Sequence, residues 1–283
     1  MLRKILIPLE ASQYTPAAVS LAADIAIQVR EFLGRDAVTL AGLGIVDTDQ
    51  LPSGRFASMV PREEILSEAR EKSAALLSAF RRQAAEKGIP EAFVETHQTE
   101  GSAFATIMQH HVFCDLLVMG ETCSFPPAHN DYNTLDHLFH QASRPILITT
   151  EKPQPVDAVV MAMDGTACAS RMMYAYAHLN PFPKAKLLVA HTRAEEKSYN
   201  LENFFERVKD YLQVYNFDVE LLSVDGHLLD ELPAVADAHN AGVIAMGVHT
   251  EHFMDKIRNP LALRLSPGEK LLQQSRRVLF TVH

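Results

Sequence analysis

Apolar residues along the chain fall into two kinds of pattern that alternate. Short continuous runs, as at residues 5–9, 38–46 and 116–119, suit strands buried on both faces. Between them lie longer stretches with one apolar stripe. Thr15 and Pro16 predict a helix opening (Thr15 as N-cap, Pro16 in the first turn) that runs to about Phe32. Pro61 precedes a long helix to about Lys87, with Ile65, Ala69, Leu76 and Phe80 on one stripe and Gly88 closing it. A strand over 93–97, a helix over 104–111, a helix over 135–142 and a strand over 145–149 complete the first half. The second half predicts strands over 158–163, 186–191, 219–224, 243–246 and 278–282. Its helices are expected over 170–178, 201–214, 229–239 and 268–274, with Leu201, Phe204, Phe205, Val208 and Leu212 on one face of the second.

The two halves repeat one another. Asp115-Leu116-Leu117-Val118-Met119-Gly120 returns in outline as Gly242-Val243-Ile244-Ala245-Met246-Gly247, and Ser143-Arg144-Pro145-Ile146-Leu147-Ile148 as Ser275-Arg276-Arg277-Val278-Leu279-Phe280. The openings correspond too: Ile5-Leu6-Ile7-Pro8-Leu9-Glu10 with Val159-Val160-Met161-Ala162-Met163-Asp164. Such a spacing is far longer than a solenoid repeat of about 20–50 residues and marks a duplicated domain. The polar, two-proline stretch 149–155 reads as the linker, giving domains over 1–150 and 156–283. Five strands alternating with four helices in each half imply an α/β fold: two tandem, doubly wound, five-stranded parallel-sheet domains. Ligands of such sheets sit beyond the carboxyl ends of the strands, at the switch in strand order. That rule nominates Glu10 and Asp164 after strand one, and the loops following Gly120 and Gly247 after strand four.

Charge narrows the partners. The 283 residues carry a formal net charge of −9, acidic in both halves, with Arg81-Arg82 and Arg276-Arg277 as the basic pairs worth weighing. Nucleic-acid binding rests on clustered Lys and Arg, so no nucleic-acid partner is expected. No apolar run reaches the length of a membrane span, and the first ten residues lack a signal-peptide core, so a cytoplasmic protein is the expectation. Three cysteines, Cys114, Cys123 and Cys168, have no paired spacing and read as isolated thiols.

In its order of landmarks, taken twice, the chain resembles the universal stress protein family in its tandem form, over nearly the whole length. The landmarks are the acid closing strand one, Met119-Gly120 and Met246-Gly247 closing strand four, and the Ser/Arg approach to strand five. The resemblance implies an adenine nucleotide alpha hydrolase-like fold and pairing of the two halves through strand five, with a homodimer also compatible. Nucleotide-binding members of that family carry G-x2-G-x9-G-[ST] after strand four. Here Gly120 matches the first glycine, Cys123 stands at the second, Asn133 at the third and Thr134 at the hydroxyl. In the second half Gly247 matches, Thr250 replaces the second glycine, and Leu265 and Ser266 fall on the last two positions of a longer loop. Glu10, Ile45, Met119 and Leu135 are expected to line the base and ribose side in the first half, with Asp164 and Met246 at the matching places in the second.

Two features weigh against nucleotide. Bulk at Cys123, Thr250 and Leu265 hinders the backbone amides from converging on phosphate. Ser266-Pro267-Gly268-Glu269 spells a capping box that satisfies a helix start internally, and Asp136 puts a carboxylate in the other. No cofactor is therefore expected, with ATP or AMP in the first half as the alternative. Met163-Asp164-Gly165-Thr166 is similar to the tail of the aspartyl-phosphate phosphatase motif, but Ala162 replaces its nucleophile. His129, His137 and His140, and His249, His252 and Asp255, lack zinc-motif spacing, so no metal site is expected. His110-His111 closes a helix, where positive charge meets the dipole. Phe56, Met59, Phe125 and Tyr132, and Phe253, Met254 and Ile257, are candidates to make the clefts apolar. The leading expectation is a non-catalytic stress-response protein that binds a small ligand or a protein partner. The alternative is an ATP- or AMP-binding protein with slow hydrolysis or autophosphorylation.

Overall fold

The computed structural model describes residues 1–34, 38–50, 61–121, 138, 141–192, 203–248 and 275–283. The first half runs β1 (Lys4–Leu9), α1 (Thr15–Leu33), β2 (Thr39–Asp47), α2 (Arg62–Glu86), β3 (Val94–Gly101), α3 (Ala103–His111), β4 (Leu116–Gly120) and β5 (Ile146–Thr149). The second runs β6 (Ala158–Ala162), α4 (Ala167–Leu179), β7 (Lys186–Thr192), α5 (Phe204–Gln213), β8 (Val219–Val224), α6 (Leu228–Ala238), β9 (Val243–Gly247) and β10 (Val278–Val282). Of the helix expected over 135–142, Leu138, Gln141 and Ala142 are described, the first two helical and Ala142 just past the helix; the one expected over 268–274 lies outside the described residues.

The ten strands join in one sheet of order β3-β2-β1-β4-β5-β10-β9-β6-β7-β8. Every pairing within a half is parallel, and the halves meet through the antiparallel pair β5–β10, with Leu147 opposite Phe280. The strand-five contact implied by the resemblance is therefore what joins them. Because that one pair is antiparallel, the strands of the two halves run in opposite directions, and their carboxyl ends lie at opposite ends of the sheet.

Alternation along the strands divides the core. Ile5, Ile7 and Leu9 face the layer of α1 and α2, which continues into α4 and α5 across the other half. Leu6, Leu117 and Met119 face α3 and Leu138, and Val160, Ala162 and Met246 face α6. Helix α2 comes close to β2 because β2 carries glycine where they meet. A methyl group on Gly42 would stand 2.6 Å from the Phe80 ring, and one on Gly44 would stand 2.5 Å from Ser73 Oγ.

Several boundaries differ from the sequence expectation for local reasons. Thr15 is not the N-cap of α1. Tyr14 occupies that place without a side-chain cap, while Thr15 Oγ1 donates to the Glu10 carbonyl (2.9 Å) and accepts from the Glu10 N–H (3.2 Å). The α2 stripe buries Leu66, Ser73, Phe80 and Ala84, leaving Ile65, Ala69 and Leu76 only half-buried. Strand β3 extends four residues beyond the expected end at His97, because it is an edge strand and needs no apolar run. Helix α4 starts three residues earlier than expected because Thr166 caps it, its Oγ1 accepting from Ala169 N–H at 3.2 Å.

Candidate functional site

In the order β3-β2-β1-β4-β5 the chain moves outward from β1 to β3, then crosses to β4 on the other side. The switch lies between β1 and β4, and ligands of open sheets of this kind sit beyond the carboxyl ends of the strands at that switch. Register places the candidate residues there. Leu9 lies opposite Gly44 on β2, so Glu10 falls beside Ile45. Leu6 lies opposite Leu117 on β4, and continuing that alignment sets Gly120 beside Leu9. Strand parity puts Glu10, Ile45 and Met119 on the α3 face of the sheet. All three are buried, and Gly120 pairs with Thr149 of β5.

Glu10 is a carboxylate only 4 % exposed at a strand end, and its backbone is clamped at both N–H and C=O by the Thr15 hydroxyl. A buried carboxylate accepts hydrogen bonds, so any ligand group that meets it is a donor such as a hydroxyl or an amine. The remaining first-half residues expected at the site, Asn133, Thr134 and Leu135, lie outside the described residues, as do Phe56, Met59, Phe125 and Tyr132.

The second half repeats the frame with different chemistry. Asp164 follows β6 at the place of Glu10, but its Oδ1 accepts from the Thr166 N–H (2.9 Å) and hydroxyl (2.7 Å). It thus holds the turn that starts α4, with Gly165 at φ +74° inside that turn. Met246 is buried on the α6 face. Gly247 closes β9 against the first turn of α4: a methyl group there would lie 2.4 Å from the Cys168 carbonyl carbon and 2.7 Å from Ala169 N. Protein backbone fills the space its missing side chain leaves. Ser266, Thr250 and Leu265 lie outside the described residues, as do Phe253, Met254 and Ile257. Thr192, buried on β7, occupies the register position of Ile45 and was missed in the sequence. Carrying the repeat through strand two would have found it.

Histidines at the end of α3 serve the packing there. His111 is 1 % exposed; its Nδ1 donates to the Met108 carbonyl (2.7 Å) and its Nε2 accepts from Ser143 N–H (3.1 Å). It brackets the end of α3 to the approach to β5, which replaces the helix-dipole role expected of it. His110 and His97 lie with ring centres 5.3 Å apart on the α3 face, near the Lys4–Glu95 ion pair. Burial first, then the nearby His97 and Lys4 charges, lower the pKa of His110. Burial pushes the Cys114 thiol up to about 12, and its Sγ–H donates to the His111 carbonyl at 3.0 Å. Among the described residues no group of three His, Cys, Asp or Glu could hold a metal ion, and no helix is long and apolar enough to cross a membrane. The two histidine-rich loops singled out in the sequence lie outside those residues.

Two parallel α/β halves, each with its strand-order switch between its first and fourth strands and joined edge to edge, define a tandem doubly wound architecture. A universal stress protein from Archaeoglobus fulgidus DSM 4304 superposes over 98 % of this chain and 95 % of its own, with TM-score 0.68 and 17 % identity. A protein of unknown function from Pseudomonas aeruginosa PAO1 covers 99 % of this chain and 92 % of its own, with TM-score 0.54 and 15 % identity. No protein-family model matches the sequence, and neither does any curated protein. At these identities the likeness is one of fold: the chain has the universal stress protein fold, in two tandem copies.

Proposed function

We propose that this chain is a tandem universal stress protein of the cytoplasm, with domains over 1–150 and 156–283, acting in the stress response without catalytic turnover. It works by binding a small ligand, or a protein partner, at the strand-end crevice of the first half. The observation that carries this reading is a buried carboxylate at the end of strand one in the first half. Glu10 in the first half stands buried beside Ile45 and Met119. In the second half Asp164 is committed to the α4 turn and Gly247 to helix packing.

The ligand chemistry that fits the first crevice is a flat apolar group with hydroxyl or amine donors for Glu10. An adenine nucleoside has that form, and Gly120 with Asn133 and Thr134 would take its phosphates. Cys123 in place of the second glycine and a carboxylate at Asp136, two residues after Thr134 in the sequence, weaken this hold, so ATP or AMP binds poorly. Asp164, Met246, Gly247 and Ser266 are the weaker candidates of the second half. Incubation of the purified protein with radiolabelled ATP tests the absence of turnover. Neither released phosphate nor labelled protein is expected. Turnover or autophosphorylation that disappears in Gly120→Val would replace this reading with the ATP-dependent one.

A further inference from the structure

At the far end of the second half from its switch point, α4 and the end of α5 bring together at the surface a group of rings, three half-buried and Tyr174 exposed, that nucleotide chemistry does not use. Tyr174 and His178 lie one turn apart on α4, with ring centres 3.8 Å apart, and Tyr174 is 57 % exposed. Tyr211 on α5 and Tyr215 just beyond it have ring centres 5.3 Å apart, and the Tyr215 ring lies 5.1 Å from that of His178. Their polar atoms form a chain. The Tyr211 and Tyr215 hydroxyls are 3.3 Å apart, and the Tyr215 hydroxyl is 3.4 Å from His178 Nε2. His178 Nδ1 is 2.9 Å from the Tyr174 carbonyl, which can only accept. That contact places the imidazole proton on Nδ1 and leaves Nε2 as the acceptor for the Tyr215 O–H.

We infer that Tyr215, with His178 as its proton acceptor, is a site of one-electron oxidation, and that Tyr211 and Tyr215 are joined there into dityrosine by radical oxidants. A phenol that loses an electron becomes a far stronger acid, so its oxidation is easiest where a base already accepts its proton. The Tyr211 phenol is itself held protonated, its pKa raised to about 12 by burial and by its bond to Tyr215. Electron loss in this pair must therefore be accompanied by proton loss.

The steps balance as follows. One oxidant equivalent takes an electron from Tyr215 while the phenolic proton passes to His178 Nε2, leaving a phenoxyl radical and an imidazolium that returns its proton to water. A second equivalent takes an electron from Tyr211, whose phenolic proton goes to solvent. The two phenoxyl radicals form a carbon–carbon bond between ring positions ortho to oxygen, and the ring hydrogens at those positions shift to the oxygens and restore both phenols. Two oxidants are reduced, two protons are released, and the protein is lighter by two hydrogen atoms. The oxidants that fit are small one-electron radicals, since the group lies at the surface and needs no binding pocket.

Photogenerated tris(bipyridine)ruthenium(III), acting on the full-length protein, is the probe. No Lys or Arg lies between Asp210 and Lys256, so both tyrosines fall on one tryptic peptide. The crosslink is expected as that peptide lighter by two hydrogens, with dityrosine fluorescence from monomeric chains, and Tyr211→Phe should abolish it. His178→Phe keeps the ring but removes the base, and is expected to lower the yield by about tenfold or more. The wild-type rate should slow in deuterated water, and that isotope effect should vanish in His178→Phe. Since the isotope effect is read on the wild type, the proposal stays testable even if the variant folds poorly. Oxidation of Tyr14 or Tyr174 as fast as Tyr215, or an unchanged yield in a well-folded His178→Phe, would overturn it.

Discussion

Replacing Gly247 with alanine separates a packing role from a ligand-binding one. The added methyl group would stand 2.4 Å from the Cys168 carbonyl carbon, 2.5 Å from its oxygen and 2.7 Å from Ala169 N. All three are backbone atoms in the first turn of α4, so no side chain can swing aside and the helix itself must move from β9. At Gly42 the nearest atoms belong to the Phe80 ring, 2.6 Å away, and a ring can tilt. Overpacking that strains a core costs about 1–3 kcal/mol, and the backbone contact at Gly247 argues for roughly 2 kcal/mol or more. Unfolding entropy of about 2.1 cal/mol/K per residue turns that into a fall in Tm of roughly 3–4 °C if both halves unfold together. Thermal unfolding followed by circular dichroism, with a nucleotide titration alongside, is the assay. A variant that melts with the wild type but loses a ligand would refute the packing argument and return Gly247 to the binding site.

Thr281 on β10 lies opposite Ile146 in the seam between the halves, 2 % exposed, and its hydroxyl has no hydrogen-bond partner among the described residues. Thr281→Val should therefore raise stability by about 1 kcal/mol, read from denaturant midpoints at constant slope; a destabilised variant would show that the hydroxyl is satisfied. His110, with its pKa lowered by burial, His97 and Lys4, favours its neutral form in the folded state. The stability this brings is present above the ordinary histidine pKa of about 6.5 and declines as pH falls below it, so His110→Gln should flatten the loss of Tm between about pH 7 and 5.5. An unchanged slope would remove His110 as a cause. Cys114 and Cys168 are buried, and both should resist a thiol reagent until denaturant is added; rapid native labelling of Cys114, read by mass spectrometry, would contradict the burial argument.

Much of the fold was legible because duplication and apolar runs are local signals. The strands at 219–224 and 278–282 fall where their residues predict, and the strand-five seam followed from the resemblance. What escaped was decided by partners distant in sequence. Strand β3 reads as ending at His97 because Gln98, Thr99 and Glu100 are polar, yet its edge position makes polar residues suitable. Gly42 and Gly44 look like weak points of a strand until Phe80 and Ser73 arrive from α2. Asp164 reads in the sequence as a candidate ligand contact, and only the geometry of Thr166 shows that it also holds the turn that starts α4. The Tyr–His group is invisible as a pattern, since Tyr174 and His178 are far along the chain from Tyr211 and Tyr215.

The central claim is that the first half holds an adenine nucleotide only weakly. Isothermal titration of the purified protein with Mg-ATP, and separately AMP, tests it most directly. Bulk at Cys123, Thr250 and Leu265 with the carboxylates of Asp136 and Glu269 is expected to cost on the order of 3 kcal/mol in all, roughly a hundredfold in affinity. A dissociation constant above roughly 100 μM, abolished by Gly120→Val and kept in a folded Gly247 variant, is the predicted result. A low-micromolar constant, or ATP carried through purification, would contradict it.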